Sequence, residues 1–118
     1  MEPREIKESL PRTWNLFFSR FGSFTPLQEF AIPYILNKEN VVLISPAATG
    51  KTEAIIAPII ENLLKEEIKE LKILYITPTR ALVNDLFRRL EEPVTVLNLT
   101  ITRKTGDHPV IEKKHLPN

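Results

Sequence analysis

Ser45-Pro46-Ala47-Ala48-Thr49-Gly50-Lys51-Thr52 is the stretch that decides the fold. A small residue, four spacers and then Gly-Lys-Ser/Thr is the pattern of a phosphate-binding loop. The apolar run Val41-Val42-Leu43-Ile44 before it reads as a strand, and Glu53 to Glu67 after it reads as a helix. A loop in that place gathers backbone N–H groups and a helix N-terminus around one point, where an anion is stabilised. Lys51 would reach the β- and γ-phosphates, and Thr52 would set its hydroxyl on Mg²⁺. Ser45 stands where the strict pattern has glycine, and Ala47 and Ala48 replace spacer glycines. Alanine adds little bulk but narrows the allowed backbone conformations, so Gly50 alone keeps full freedom.

Upstream, Met1 to Arg20 reads as amphipathic helix, with Trp14, Phe17, Phe18 and Phe21 spaced by three and four. Such an aromatic stripe is core before it is a stacking platform. Pro11 fits a helix start rather than a helix interior. Gly22-Ser23 ends the segment. Thr25-Pro26-Leu27-Gln28 is then a helix start: Thr25 can cap, Pro26 suits the first turn, and Gln28 is three residues past the cap. Phe30, Ala31, Tyr34 and Ile35 give that helix an apolar face, with Pro33 inside the pattern.

Downstream, Ile55, Ile56, Ile59, Ile60, Leu63 and Leu64 fall on one helical face, interrupted by Pro58, where a kink is expected. Lys65 to Lys72 is a charge run read as a solvated helix end. Ile73 to Thr77 reads as a short buried strand, Thr79 to Leu90 as a helix with Leu82, Leu86 and Leu90 one turn apart, and Val94 to Thr102 as containing a third strand. Alternating strands and helices predict an α/β fold with right-handed crossovers, its parallel core built from segments near 41–45, 73–77 and 95–102.

Composition narrows the function classes. The 118 residues suit one small domain, and 16 basic against 15 acidic side chains give no global charge for nucleic acid. No cysteine is present, which removes disulfide and thiolate-metal schemes. No run approaches the ~18 apolar residues of a membrane span, and Met1 to Leu10 has no apolar signal core. A cytoplasmic protein with no membrane partner is expected.

Taken together, these segments resemble a superfamily 2 helicase. Thr25-Pro26-Leu27-Gln28 resembles the adenine-recognition Q motif, and Ser45 to Thr52 the Walker A loop. Pro78-Thr79-Arg80-Ala81-Leu82-Val83-Asn84-Asp85 resembles motif Ia, and Arg103-Lys104-Thr105-Gly106-Asp107 resembles motif Ib. The wording of the last two is most similar to the large-helicase-related (Lhr-type) DNA helicases, with the DEAD-box RNA helicases as close relatives. The resemblance implies a partial RecA-like P-loop NTPase domain, with residues 1–24 as an N-terminal helical segment and 25–118 carrying the Q motif, Walker A and motifs Ia and Ib. It implies ATP and Mg as cofactors. ATP or ADP would be held by Gln28 and the loop Ser45, Pro46, Ala47, Ala48, Thr49, Gly50, Lys51 and Thr52. Lys51 and Thr52 carry the chemistry, and Thr52 is the metal ligand. Pro78, Thr79, Arg80, Arg103, Thr105 and Gly106 would contact nucleic acid, DNA before RNA.

Bare readings stand beside these. A glutamine amide can pair with both N6 and N7 of adenine, yet Gln28 also completes a capping box. Arg80 suits a phosphate or a salt bridge, and Thr105-Gly106 suits a simple turn. No Asp-Glu pair follows residue 91 and no second domain with an arginine finger is present, so the chain is expected to be the first part of a motor, completed by the remainder of a helicase chain. Isolated, it is not expected to hydrolyse ATP efficiently. Open sheet edges would favour self-association. A small-molecule kinase would need a basic lid and an acceptor pocket, and neither is legible. A non-enzymatic nucleotide- or nucleic-acid-binding module remains the alternative for the chain on its own.

Overall fold

A computed structural model describes residues 1–46, 49–66 and 73–105. The chain divides into two compact units, one within residues 1–67 and one within 68–118. Among the described residues the first unit holds α1 (Pro3–Glu8), α2 (Trp14–Phe17), a 3₁₀ turn (Ser19–Phe21), α3 (Pro26–Leu36) and α4 (Lys51–Leu63). The second holds α5 (Arg80–Val96).

The N-terminal segment is not one helix. α1 ends at Ser9, and Pro11 lies in the turn that leads to α2, whose cap is Thr13. A proline cannot donate the bond that would carry the helix on. Phe17 and Phe18 are buried, while Phe21 is exposed. Trp14, Phe18 and Phe24 form one aromatic cluster, with centroid separations of 5.0 to 5.8 Å. The stripe is therefore largely core, as packing of large rings favours. Gly22, at φ 77°, closes the 3₁₀ turn.

α3 starts where its chemistry says: Thr25 caps it, Pro26 opens it, and Thr25 and Gln28 exchange both capping-box bonds. It runs unbroken through Pro33. Its buried residues are Gln28, Ala31 and Ile32, whereas Phe30 and Tyr34 are exposed and pack on each other at 5.4 Å. The apolar face expected at 30, 31, 34 and 35 is thus turned by about one residue, ~100° of helix. A buried Gln28, bonded to backbone through both its Oε1 and its Nε2, replaces an aromatic on the inner face. Past Asn37 the chain takes the left-handed conformation at Lys38, φ 62°. Lys38 N–H then donates to Ile35 O and Glu39 N–H to Tyr34 O, a Schellman end.

α3 packs chiefly on α4, and α1 on α3. Ile6, Leu10, Phe18, Ala31, Ile32, Ala54 and Ala57 are completely buried there. α4 also runs through its proline, Pro58, which is itself buried. Of its expected stripe, Ile56 and Ile60 are buried and Ile55, Ile59, Leu63 and Leu64 are half-buried. Lys65 and Glu66 are exposed, and the rest of that charge run lies outside the described residues.

The sheet is the main departure from expectation. No strand is present among the described residues. Val42, Ile44, Leu74 and Ile76 are 75 to 92% exposed. A parallel ladder needs a neighbouring strand and cover on both faces. The first unit has a single such segment, 41–44, so within that unit it has nothing to pair with. In the second unit the expected third strand is partly consumed by α5, which extends through Pro93 to Val96 instead of stopping at Leu90. Asn98 at φ 60° ends it: Asn98 N–H donates to Thr95 O and Leu99 N–H to Val94 O, a second Schellman end. Leu90 and Val94 are the buried residues of α5, Leu86 is half-buried and Leu82 is exposed. No described helix is long and apolar enough to cross a membrane.

Candidate nucleotide-binding site

The site is built at the start of α4. Gly50 occupies the left-handed region, φ 75° and ψ 31°, and is the N-cap of the helix. Its carbonyl accepts from Ala54 N–H at 3.1 Å, so helical bonding begins at the loop's last residue. Lys51 and Thr52 are the first two helical residues and both are half-buried. The N–H groups of a helix's first turn have no intrahelical acceptor and attract an anion.

Two side chains from α3 hold this junction. Thr25 Oγ1 accepts from Gln28 N–H at 3.2 Å and donates its own hydrogen to Thr49 O at 2.9 Å. Gln28 Oε1 accepts from Thr25 N–H at 2.9 Å, and Gln28 Nε2 donates to Gly50 O at 3.1 Å. Gln28 is only 3% exposed, so its amide is satisfied by backbone on both sides. Both readings of Gln28 therefore start from the same place: it is a capping-box residue, and it also touches the phosphate-loop segment.

The loop closes on itself. Lys51 Nζ donates to Ser45 O at 2.8 Å. Thr49 Oγ1 donates to Pro46 O at 2.9 Å and shares a 2.9 Å bond with Ser45 Oγ. Ser45 thus contributes a carbonyl and a hydroxyl, which glycine could not do in full. Ala47 and Ala48 lie outside the described residues.

Sequence reasoning missed the polar supports at the far end of α4. Glu61 is completely buried on α4, and one of its oxygens accepts from Arg12 N–H at 3.0 Å, Thr13 N–H at 3.1 Å and Thr13 Oγ1 at 3.0 Å. The Arg12 guanidinium stands 3.5 Å from the other oxygen. Asn62 Nδ2 donates to Ile35 O and Leu36 O at the end of α3, at 3.4 and 3.1 Å. The available signal was periodic: Glu61 follows Ala54, Ala57 and Pro58 on one helical face.

The expected nucleic-acid residues belong to the second unit. Thr79 caps α5 by accepting from Leu82 N–H at 3.2 Å, and Arg80 is its first residue. Pro78, Thr79 and Arg80 are exposed. The Arg103 guanidinium lies 4.5 Å from the centroid of the Phe87 ring on α5. Thr105 is described and half-buried, and Gly106 lies outside the described residues. Among the described residues no cluster of three or more acidic or histidine side chains could hold a metal. Thr52 supplies one oxygen at the loop. That fits Mg²⁺ only in the manner of a phosphate-borne ion, which takes most of its ligands from phosphate and water.

The profile of the DEAD/DEAH box helicases matches residues 25–117. The chain belongs to the DEAD/DEAH box helicase family. It is 46% identical over 95 residues, 76% of its length, to an ATP-dependent helicase Lhr-Core protein 2 of Thermococcus barophilus. It is 35% identical over 119 aligned residues, 90% of its length, to an ATP-dependent helicase Lhr-Core of Sulfolobus acidocaldarius. It is also 38% identical over 72 residues, 61% of its length, to the ATP-dependent RNA helicase DBP3 of Debaryomyces hansenii. The match spans 11 to 14% of the length of these relatives. No solved structure matches the chain. The superfamily 2 resemblance of the motifs is thereby borne out. The family implies a RecA-like α/β fold, of which the described residues show the helices and not the sheet.

Proposed function

We propose that this chain is the ATP-binding part of an ATP-dependent DNA helicase or translocase. The observation that carries the reading is the left-handed Gly50 at the N-terminus of α4, followed by Lys51 and Thr52 in its first turn. A nucleotide's phosphates would sit at that terminus, against the segment Ser45 to Thr52. Lys51 would exchange its bond to the Ser45 carbonyl for phosphate oxygens. The magnesium ion that accompanies ATP would neutralise charge on the phosphates, with Thr52 offering a hydroxyl. Gln28 would read adenine with the remaining lone pair of its Oε1 and the remaining hydrogen of its Nε2, beyond the two bonds it makes to backbone.

The nucleic-acid residues are proposed as Pro78, Thr79, Arg80, Arg103, Thr105 and Gly106. Thr79 and Arg80 stand at a helix N-terminus, where backbone phosphates bind well. DNA is favoured by the Lhr-type wording of the motifs. An RNA substrate is the second reading, supported by the similarity to a protein named as an RNA helicase. The setting proposed is the cytoplasm.

The 118-residue chain by itself is proposed to bind nucleotide without turning it over efficiently. Its two aspartates, Asp85 and Asp107, are followed by Leu86 and His108, so no Asp-Glu pair exists to organise metal and water. A steady-state ATPase assay with and without single-stranded DNA tests this. Baseline turnover in both is expected, together with ATP binding by calorimetry that Lys51→Ala weakens. Robust DNA-stimulated turnover abolished by Lys51→Ala would make the chain a complete enzyme. Equal ATP affinity in the two proteins would remove Lys51 from the phosphate site.

A further inference from the structure

We infer that Phe87 is a positioning residue for nucleic-acid binding: its ring holds the Arg103 guanidinium on the face of α5 that begins with Arg80. This rests on the nucleic-acid reading proposed above and deepens it. Arg103 Cζ lies over the Phe87 ring, 4.5 Å from its centroid, and both residues are half-buried. Phe87 belongs to none of the motif segments; it stands seven residues past Arg80 on α5. Seven residues are two turns of helix, so Arg80 and Phe87 share one face, about 10 Å apart along the axis. Exposure alternates along the segment that brings Arg103 in: Ile101, Arg103 and Thr105 are half-buried, and Thr102 and Lys104 are exposed. The two-residue period of an extended chain puts Arg103 on the inner side and Lys104 on the outer. Two cations adjacent in sequence are thus told apart, and the inner one is carried by the ring.

A ring suits a cation that must meet phosphate. Its negative face attracts the guanidinium and leaves the charge uncancelled. A carboxylate cancels part of it, as Asp85 does for Arg88 and Arg89 at 3.9 Å on the same helix. An arginine side chain has many rotamers, and holding it against a half-buried ring removes part of that freedom before a ligand arrives. Arg80, exposed at the N-terminus of α5, and Arg103, two turns along, then form one track for a single-stranded phosphate backbone. Phe87 serves through Arg103 rather than by stacking a base itself, because the guanidinium already lies over its ring.

Binding of a fluorescein-labelled oligothymidylate to the full 118-residue chain, read by anisotropy across a salt series, tests this. The proteins compared are wild type, Phe87→Leu, Phe87→Tyr, Arg103→Ala and Phe87→Leu/Arg103→Ala. Phe87→Leu is expected to weaken binding about two- to fivefold, the scale of an exposed cation–π contact. Phenylalanine has no charge, yet Phe87→Leu should also make the salt dependence shallower, by up to about 0.7 in log–log slope, the share of one single-strand phosphate contact. Phe87→Tyr, which keeps the ring, should bind as wild type does, and the double variant no more weakly than Arg103→Ala. Weaker binding in Phe87→Leu at an unchanged salt slope, with additive losses in the double variant, would mean that Phe87 meets a base directly and would overturn the positioning role. Unchanged affinity in Phe87→Leu, with Arg103→Ala weakened, would overturn it too and leave Arg103 as a nucleic-acid contact. If Arg103→Ala binds as wild type does, or no protein binds, the nucleic-acid reading of Arg103 fails, and the positioning role with it. In the wild type alone, the Arg103 Nε–Hε proton should resonate upfield of an unstacked arginine's, shifted by the ring current of Phe87. A resonance at the ordinary position would overturn the contact.

Discussion

Lys51 shows what one residue does before any ligand arrives. Its ammonium sits on the Ser45 carbonyl, so phosphate binding is an exchange of partners and the net gain is smaller than a bare charge would give. Lys51→Ala is expected to weaken ATP binding about tenfold, the low end for a hydrogen bond to a charged group, as calorimetry would read. Gly50 is constrained twice, by φ 75° and by the Gln28 amide that a Cβ would overlap. Gly50→Ala should cost about 1–2 kcal/mol for the left-handed backbone alone, and more for the overlap. Urea unfolding of Gly50→Ala, Gln28→Ala and Gly50→Ala/Gln28→Ala separates the two, because the double variant keeps the strain and loses the overlap. Full additivity in that cycle would refute the contact. Glu61 belongs to the same scale. Glu61→Ala strands three donors, those of Thr13 being completely buried, and should destabilise the first unit by about 3 kcal/mol. A loss under about 0.5 kcal/mol in the same unfolding experiment would mean that water replaces the carboxylate.

At the scale of elements, local chemistry was legible and partner-dependent structure was not. Thr25-Pro26-Leu27-Gln28 fixed the start of α3 because a cap and its reciprocal residue act within one turn. α4 opens at Lys51, two residues ahead of the expected Glu53, because the left-handed Gly50 turns the chain into the helix with no side-chain cap. The ends were harder. Lys38 and Asn98 each take the left-handed conformation, and only Asn98 carries a sequence signal for it. α5 therefore overran the expected boundary and took Val94 to Val96, β-branched at Val94, Thr95 and Val96, into helix. The inner face of α3 was misjudged because Gln28 is buried by bonds to Thr25 and Gly50, and the second of these crosses from one element to another. Lys38→Gly should relieve the positive φ and raise stability by about 1 kcal/mol, read as a shift in urea midpoint at constant slope. No change would show that the Schellman bonds at Lys38 and Glu39 already offset the strain. The pairs of Asp85 with Arg88 and Arg89, at 3.9 Å and exposed, are worth at most about 1 kcal/mol.

For the whole molecule, the strands expected from apolar runs are a statement about neighbours. Val42, Ile44, Leu74 and Ile76 are bare, and bare apolar segments with unpaired backbone are templates for another chain. Val42→Thr/Ile44→Thr is expected to lower self-association of the chain, measured by sedimentation velocity across a concentration series, while leaving ATP affinity within twofold. A monomer at all concentrations in wild type would remove that expectation. The aromatic cluster of the first unit has a further use. Trp14 is the sole tryptophan, packed against Phe18 and Phe24 with the Lys7 ammonium 4.9 Å from its ring. The segment that carries it is pinned to α4 through Arg12, Thr13 and Glu61. Its emission, excited selectively, is therefore a label-free dye for the first unit alone, since the second contains no indole. Following that colour alongside far-ultraviolet ellipticity during heating tells whether the phosphate-loop unit melts in step with the helix of its neighbour or as an independent body.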